Sequence, residues 1–280
     1  MKRRAVWIVL SCLMFVASAA LIIYYLWGNG YWFPTKKAPP PSTYAEFTYP
    51  EIDESEISAY LETITATTTS NEPQDPNATV EPDPNLPNVP CPVDFTELQA
   101  VNPDIIGWLY MTEPAISLPI LRHINDDTFY LYHDAVGQYQ RDGSLFVEHL
   151  YNGPDFEDPL TVIYGHRMSS GTMFGTMQAT MSQDGFFDQD RYFVIFTPKD
   201  TKIFKIFAAI PSDNQHILYY NDFNTEDGYE AYFDDLFMRS GVEVHLIPDA
   251  RPTYGDHVVV LSSCLWGDRT NRYLVFAKEI

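Results

Sequence analysis

A series of short apolar segments, each rich in β-branched and aromatic residues, constrains the fold of this chain most. The segments run from GWLYM and ISLPIL through GSLFVEH, LTVIYGH, YFVIFTP and TKIFKIFAAI to VEVHLIP, HVVVLSSC and RYLVFAKEI, and turn residues separate them. Segments of this length and composition are typical of β-strands. One longer segment, Asn224 to Ser240, has helical spacing instead. We therefore predict a mainly β fold, a closed or nearly closed barrel of about eight strands with a few peripheral helices.

The composition excludes several classes of function. Strands do not alternate with helices, and no GxxxxGK[ST] motif occurs, which argues against a nucleotide-binding sheet. The net charge of −21, from 17 basic and 38 acidic residues, opposes binding to nucleic acid or to anionic lipid. No CxxC or HxxxH spacing is present, so we expect no zinc site.

The N-terminus has the pattern of a membrane anchor. After MKRR, the segment from Ala5 to Trp27 contains 23 residues without a charge, enough for a helix to cross a hydrocarbon core of about 30 Å. No Lys or Arg follows until Lys36, so the positive-inside rule keeps the N-terminus in the cytoplasm. A cleaved signal peptide is the alternative, because ASAA resembles a cleavage site. We expect residues 1–27 to anchor the protein in the cell membrane by a single pass, with the rest outside the cell.

The composition changes again after the expected anchor. Residues 28–92 are acidic and rich in Pro and Thr, so we predict a disordered, extended stalk that contains a short helix in EIDESEISAYLETI. Residues 93–280 have the pattern of a globular, catalytic domain. Asp94 precedes its first helical segment with Glu97 three residues later, which is a capping-box spacing.

Cys264 is the only cysteine expected in the globular part, since Cys12 lies in the expected anchor and Cys91 at the end of the stalk. One such cysteine does not make a disulfide scaffold, although a Cys91–Cys264 bridge is an alternative. The apolar run VVVL precedes SSC, so Cys264 ends a predicted strand. It is either a small buried hydrophobe or a nucleophile at the edge of a cleft.

A nucleophilic cysteine needs a neighbouring base. His166 is the first candidate because it follows an apolar strand and a glycine, at the mouth of a loop. His133 is the second candidate, on a helical turn near the cleft. His257 precedes Cys264 by seven residues, which places it at the opposite end of the same strand.

Arg272 opens the last predicted strand. If this strand pairs with the Cys264 strand as a hairpin, with LWGDRTN as its loop, Arg272 lies beside Cys264. A guanidinium there would favour the thiolate and could donate hydrogen bonds to a carbonyl oxygen or an oxyanion. The alternatives are a surface arginine paired with Asp268, or Arg269 in the same role.

Three blocks of this sequence resemble the sortase family, most closely class B. The blocks are ELQAVNPDIIGWLYM, YGHRMSSGTMFGTM, and VVVLSSC followed by RYLVFAKEI. The resemblance implies a sortase-like β-barrel and a cysteine transpeptidase, with Cys264 as nucleophile, His166 as acid/base partner and Arg272 as substrate and oxyanion binder. The usual T-L-x-T-C motif reads here as VLSSC, and the interval from Cys264 to Arg272 is shorter than expected for class B.

The resemblance also implies partners and a reaction. Secreted proteins with a C-terminal sorting motif would be cleaved after Thr through a thioacyl-enzyme, and the acyl group would pass to a peptidoglycan-precursor amine or a pilin lysine. No metal and no cofactor take part in such chemistry. The segment 224–240 would help to line the groove for the sorting motif. The candidate substrate-binding residues are Ser262, Ser263, Tyr219 and Tyr220.

Two other functions remain open at this point. A cysteine hydrolase on the same scaffold would use the same three residues with water as acceptor. A noncatalytic, membrane-tethered binding module would lack one of them, whereas Cys264, His166 and Arg272 are all present. The sequence does not distinguish an NPxTN-like sorting motif from an xPxTG-like one.

Overall fold

The computed structural model describes residues 49–53, 55, 57–61 and 91–280. The expected membrane anchor, residues 1–27, lies outside the described residues, as does most of the predicted stalk. Within the described ranges, no helix combines the length and the apolar character that crossing a membrane requires.

The described residues contain nine strands and a few short helices. The strands are β1 (Ile105–Met111), β2 (Ile116–Leu121), β3 (Leu145–Phe146), β4 (Leu160–Tyr164), β5 (Tyr192–Phe196), β6 (Thr201–Ser212), β7 (His245–Leu246), β8 (Val258–Leu265) and β9 (Asp268–Glu279). Between 91 and 280 the α-helices are α1 (Phe95–Val101), α2 (Met177–Met181), α3 (Ile217–Tyr220) and α4 (Glu226–Met238). Short 3-10 turns lie at Phe129–Leu131, Phe186–Asp188 and Pro248–Ala250.

Eight of these strands close into a barrel in the order β5-β1-β2-β3-β4-β8-β9-β6, because β6 also pairs with β5. The first part of β6 pairs with β5, and its later part pairs with β7, which extends the sheet beyond the ring. The pairs β2–β3 and β4–β8 are parallel, and the other neighbours are antiparallel. The prediction of a mainly β, closed barrel of about eight strands is confirmed.

The two faces of β8 show which side of the barrel is the interior. Val259 and Leu261 belong to the cluster that fills the barrel, whereas Val258 and Val260 pack outside it in the cluster that includes α4. Successive side chains of a strand point to opposite faces. Even-numbered positions of β8 therefore face outward, toward the layer formed by α4.

The predicted helices begin where their capping residues indicate. Thr225 caps α4, since its Oγ1 accepts a hydrogen bond from the N–H of Gly228, and the helix buries Tyr229, Phe233 and Leu236. Asp94 caps α1, because its side chain accepts from the backbone N–H groups of the residues two and three positions later. Both contacts satisfy N–H groups that the helix itself leaves unpaired.

The β8–β9 hairpin is tighter than predicted. The segment LWGDRTN does not form a seven-residue loop, because Leu265 pairs with Asp268 and leaves only Trp266 and Gly267 in the turn. Gly267, the second residue of the turn, has a φ of 82°, a left-handed conformation that glycine adopts readily. The register shifts between Cys264 and Leu265, so residues 269–271 of β9 have no register partner on β8.

Part of the predicted stalk packs on the barrel. Residues 55 and 57–61 are helical, as predicted for a short helix in this segment. Ile57 is buried in the same apolar cluster as Trp108 and Phe196. The ring of Tyr49 meets that of Trp108 edge to face, with centroids 5.6 Å apart. This segment therefore covers the outer face of β1 and β5.

Candidate active site

The strand register brings Cys264, Arg272 and His166 to neighbouring positions. Cys264 and Arg272 are direct Cα partners in the antiparallel pair β8–β9. On the other side of β8, Tyr164 is level with Ser262, and the N–H of Gly165 donates to the carbonyl oxygen of Ser262 at 3.0 Å. β4 ends at Tyr164, and His166 follows two residues later, at the end of the barrel where β8 carries Cys264. The three residues thus lie at the same end of three adjacent strands.

The same three strands present these residues on the outer face of the barrel. On β4, Leu160 and Val162 face outward, and on β9, Leu274 and Phe276 do so. Side chains alternate along each strand. Cys264 has the parity of Val258 and Val260 on β8, and Arg272 has the parity of Leu274. The thiol and the guanidinium therefore leave the sheet on one side, beyond the part that α4 covers.

The loop after β4 holds the backbone of His166, and the 3-10 turn at Phe129–Leu131 contacts its ring. Its N–H donates to Sδ of Met173 at 3.2 Å, and its carbonyl oxygen accepts from the N–H of Phe174 at 3.2 Å. Its Nε2 lies 3.0 Å from the carbonyl oxygen of Leu131. A carbonyl only accepts, so Nε2 carries a proton, and Nδ1 is the basic nitrogen of the neutral ring. The ring is thus held in a defined tautomer suited to proton exchange.

Gly165 allows the chain to pass closely under this loop. A Cβ at this position would lie 2.5 Å from Cδ2 of Leu145 and 2.6 Å from Cε2 of Phe174. Both of these side chains are buried in the barrel. A larger side chain before His166 would therefore require the buried side chains around it to shift.

Arg272 is held by the hairpin rather than by an acidic partner. Its Nη1 donates to the carbonyl oxygens of Arg269 and Asn271, each at 3.3 Å. The carboxylate of Asp268 accepts instead from Thr270 and Asn271. The alternative of an Asp268–Arg272 ion pair is therefore not what the hairpin forms. Arg269 is exposed at the start of β9, and Arg272 is the arginine opposite Cys264.

Cys264 is half-buried and free, and Cys91 is also free, so the alternative of a bridge between them does not hold.

A further contact joins the two loops of the site. The guanidinium of Arg167 lies over the ring of Trp266, 5.2 Å from its centroid. Arg167 follows the candidate base, and Trp266 lies two residues after the candidate nucleophile. This cation–π contact therefore links the loops that carry them.

Tyr164 is a site residue that the sequence analysis missed. It has the same parity as His166, two positions later, and its hydroxyl donates to Oε2 of Glu148 at 3.1 Å. Burial raises the pKa of Tyr164, the charge of Glu148 raises it further, and the charge of Arg272 lowers it. The guanidinium is therefore close enough to act on this hydroxyl. The two-residue spacing before His166 was the signal available in the sequence.

The candidate substrate-binding residues divide into two groups. Tyr219 and Tyr220 are exposed on α3, with ring centroids 4.9 Å apart. Ser262 shares the outer face with Cys264 by alternation and is buried. Ser263 points into the barrel, and among the described residues its buried Oγ has no hydrogen-bond partner. The structure therefore does not bring Ser263 to the face that carries the thiol.

The other candidate histidines are engaged elsewhere. His133 stacks on Phe129 with centroids 3.8 Å apart, and its Nδ1 lies 2.6 Å from the carbonyl oxygen of the same residue. His257 lies before the first residue of β8 and pairs with Glu279 at 3.0 Å. It is at the opposite end of the strand from Cys264, as predicted.

Two cavities differ in their chemistry. One of about 510 Å³ lies at the β5–β6 turn and is lined by residues that include Cys91 and Lys199 but no histidine. Burial raises the pKa of the Cys91 thiol, which disfavours the reactive thiolate. The other, of about 380 Å³, is lined by Ser212, His216 and Tyr220 among others. Ser212 is the partner of Arg272 on β6, so the smaller cavity adjoins the site.

No family model matches the chain. The chain is similar to sortase B of Staphylococcus aureus (strain NCTC 8325 / PS 47), with 25% identity over 195 residues that cover 66% of this chain and 74% of the relative. Among solved structures, it is similar to sortase B of Bacillus anthracis in complex with AAEK1, at 27% identity and a TM-score of 0.57, covering 66% of this chain and 83% of that one. A Streptococcus pyogenes class B sortase involved in pilus biogenesis matches at 26% identity and a TM-score of 0.55, covering 67% and 98%.

Proposed function

Because this chain is a class B sortase, and so a cysteine transpeptidase, we propose that it cleaves the sorting motif of a secreted protein after Thr and transfers the acyl group to an amine, with Cys264 as nucleophile. The single observation that carries this proposal is the pairing of Cys264 with Arg272, with His166 two residues beyond the Tyr164–Ser262 pair at the same end of the neighbouring strand. A thiol, an imidazole and a guanidinium at one end of the barrel supply the groups that acyl transfer needs.

The first half of the proposed reaction forms a thioester. The Cys264 thiolate attacks the Thr carbonyl carbon, and the carbonyl electrons move to oxygen. Arg272 donates hydrogen bonds to the resulting oxyanion, where they act in the transition state. The imidazolium of His166 gives its proton to the departing amide nitrogen, so that the C–N bond breaks and the amine leaves.

The second half transfers the acyl group. The acceptor amine attacks the thioester carbon and gives a proton to His166, now neutral. The new C–N bond forms, the C–S bond breaks, and the Cys264 thiolate and the His166 imidazolium return. The cysteine hydrolase differs only here, because water replaces the amine.

We propose that the enzyme acts outside the cell, at the membrane surface. A membrane anchor at residues 1–27, as the sequence predicts, would hold the enzyme outside the cell beside its membrane-held donor and its acceptor, and this would raise their effective concentrations. We favour a cell-wall peptide amine as the acceptor. A pilin lysine is the second candidate, because the similar Streptococcus pyogenes enzyme is involved in pilus biogenesis.

The test uses the full chain and a panel of peptides with NPxTN-like and xPxTG-like motifs, each with triglycine, a diaminopimelate peptide or no added amine. We expect mass spectrometry to detect an amide between the acyl fragment and the amine in the wild type, and no product with Cys264→Ala, whose circular dichroism stays that of the wild type. Free acid alone at saturating amine would favour the hydrolase. Turnover by folded Cys264→Ala would refute the proposal.

A further inference from the structure

A half-buried carboxylate connects the active-site sheet to the segment beside it. Glu148 follows β3, and its side chain is only 17% exposed. Its Oε2 accepts from the hydroxyl of Tyr164 at 3.1 Å and contacts Nε2 of His216 at 2.7 Å. Burial raises the pKa of Glu148, whereas the hydrogen bonds from His216 and Tyr164 lower it. The carboxylate thus accepts hydrogen bonds from both Tyr164 and His216, which lie on different elements.

The other nitrogen of His216 caps α3. Its Nδ1 accepts from the backbone N–H of Tyr219 at 3.1 Å. A backbone N–H only donates, so Nδ1 carries no proton and Nε2 donates to Glu148. Because one ring makes both contacts, the position of the helix cap depends on the position of Glu148.

The α3 segment needs such external support. It has four residues and buries none of them, and a helix this short is unstable alone. It nevertheless presents Tyr219 and Tyr220, which are exposed. Ile217 and Leu218 pack partly buried against the cluster that includes α4, and the cap on His216 adds the polar contact that orients the turn bearing the two tyrosines.

Other charged and titratable groups surround His216. The ring of Tyr151 lies 4.7 Å from that of His216, and Asp127, which pairs with His149, acts on Glu148. The charged residues that line the adjoining cavity with His216 are Asp213, Asp222, Asp235 and Arg239.

We propose that Glu148 and His216 form a positioning pair that holds α3, with Tyr219 and Tyr220, as the wall of the donor-peptide groove and ties this wall to Tyr164 beside Arg272. The inference rests on the proposed function for its kinetic consequence. Among the residues that the structure describes, Glu148 and His216 make no hydrogen bond to the side chain of Cys264, His166 or Arg272. It therefore affects binding of the sorting peptide, measured by KM, rather than the chemical step, measured by kcat.

The chain supplies a matched control. His257 and Glu279 form a similar partly buried pair at the other end of β8. In the kinetic test, His216→Ala raises KM for the sorting peptide about tenfold, the scale of one hydrogen bond to a charged group, and leaves kcat within about twofold. His257→Ala leaves both constants unchanged. Equal KM values for the two variants would overturn the proposal.

A second variant separates the two contacts of the ring. His216→Asn keeps a side-chain oxygen that can cap α3, since asparagine is a favoured N-cap residue, but it is too short to reach Glu148. We expect its KM to stay closer to that of His216→Ala than to that of the wild type. A wild-type KM in His216→Asn would show that the link to Glu148 is not needed.

Hydrogen exchange tests the pair without any turnover. In His216→Ala, the amides of Tyr219 and Tyr220 should exchange about tenfold faster than in the wild type, while the amides of β8 keep their protection. Unchanged exchange at these two amides would overturn the proposal even if the enzyme is an active transpeptidase. Absence of turnover in the wild type would refute the proposed function and leave this exchange result to decide the role of the pair.

Discussion

Arg272 stands opposite Cys264 in a pair of strands, and the chemistry of its side chain matters more than its charge. A planar guanidinium offers several donors in a fixed arrangement, whereas an ammonium is a single compact charge. Because the backbone carbonyls of Arg269 and Asn271 orient the group, its donors have a defined direction before the substrate arrives.

For Arg272→Lys we expect kcat/KM to fall about 100-fold, the scale of losing an oxyanion donor, with a melting temperature that stays within about 2 °C of the wild type. Steady-state kinetics and thermal unfolding measured on the same preparation check this. Near-normal kcat/KM in the lysine variant would show that charge alone suffices.

Gly165 tests how packing positions the base. In Gly165→Ala, the new methyl group would overlap Leu145 and Phe174, so we expect the free energy of unfolding to fall by about 1–3 kcal/mol and kcat to fall because His166 moves. Gly153→Ala is the control, since its Cβ would meet only the ends of Asp155 and Asp158 and should cost within about 0.5 kcal/mol. Equal effects of the two substitutions in urea unfolding would contradict this account.

At the scale of elements, the sequence patterns predicted the positions of the strands better than their lengths and turns. Runs of β-branched and aromatic residues located every strand, since such residues fit a pleated, half-buried surface. They did not give the length of β3 and β7, which are two residues each. Strand length depends on partners, and β3 pairs with β4 only through Phe146 and Tyr164. The tight turn depended on the φ of Gly267, which the sequence allows but does not specify.

The turn of this hairpin has a pH dependence. The pKa of Asp268 is lowered, first by the hydrogen bond from the Thr270 hydroxyl and then by the Thr270 N–H. Its contribution is therefore present above the unfolded pKa of about 3.9 and is lost as pH falls through the lower folded value. We expect NMR signals of Thr270 and Asn271 to show loss of turn order below about pH 3.9, and Asp268→Asn to lack this transition. A transition that survives in the asparagine variant would assign it to another group.

At the scale of the whole molecule, barrel closure explains how distant residues meet. The parallel pairing of β4 with β8 brings His166 to the same end of the barrel as Cys264, and no local pattern reveals that pairing or its register. Side chains two residues apart on a strand share a face, so the position of Tyr164 two residues before His166 could have identified it from the sequence. Glu148 and His216 are 68 positions apart on irregular segments, so only the folded barrel brings them together.

The segment before the barrel also belongs to the whole-molecule scale. Ile57 is 3% exposed in the cluster with Trp108, so Ile57→Ala should lower the free energy of unfolding by about 2–4 kcal/mol, measured by urea unfolding of the full chain. Ile124→Ala is the control, because that side chain is 64% exposed. A loss no greater than that of the control would show that residues 49–61 do not stabilise the barrel.

Intact-mass spectrometry of the full chain, mixed with a cleavable sorting peptide and then with triglycine, tests the convergence of Cys264, His166 and Arg272 most directly. We expect the peptide's acyl fragment to attach to Cys264 and triglycine to remove it as an amide, while His166→Ala and Arg272→Ala stay folded and accumulate far less of the adduct. An adduct on another residue, or normal adduct formation in either folded variant, would show that these three residues do not act together.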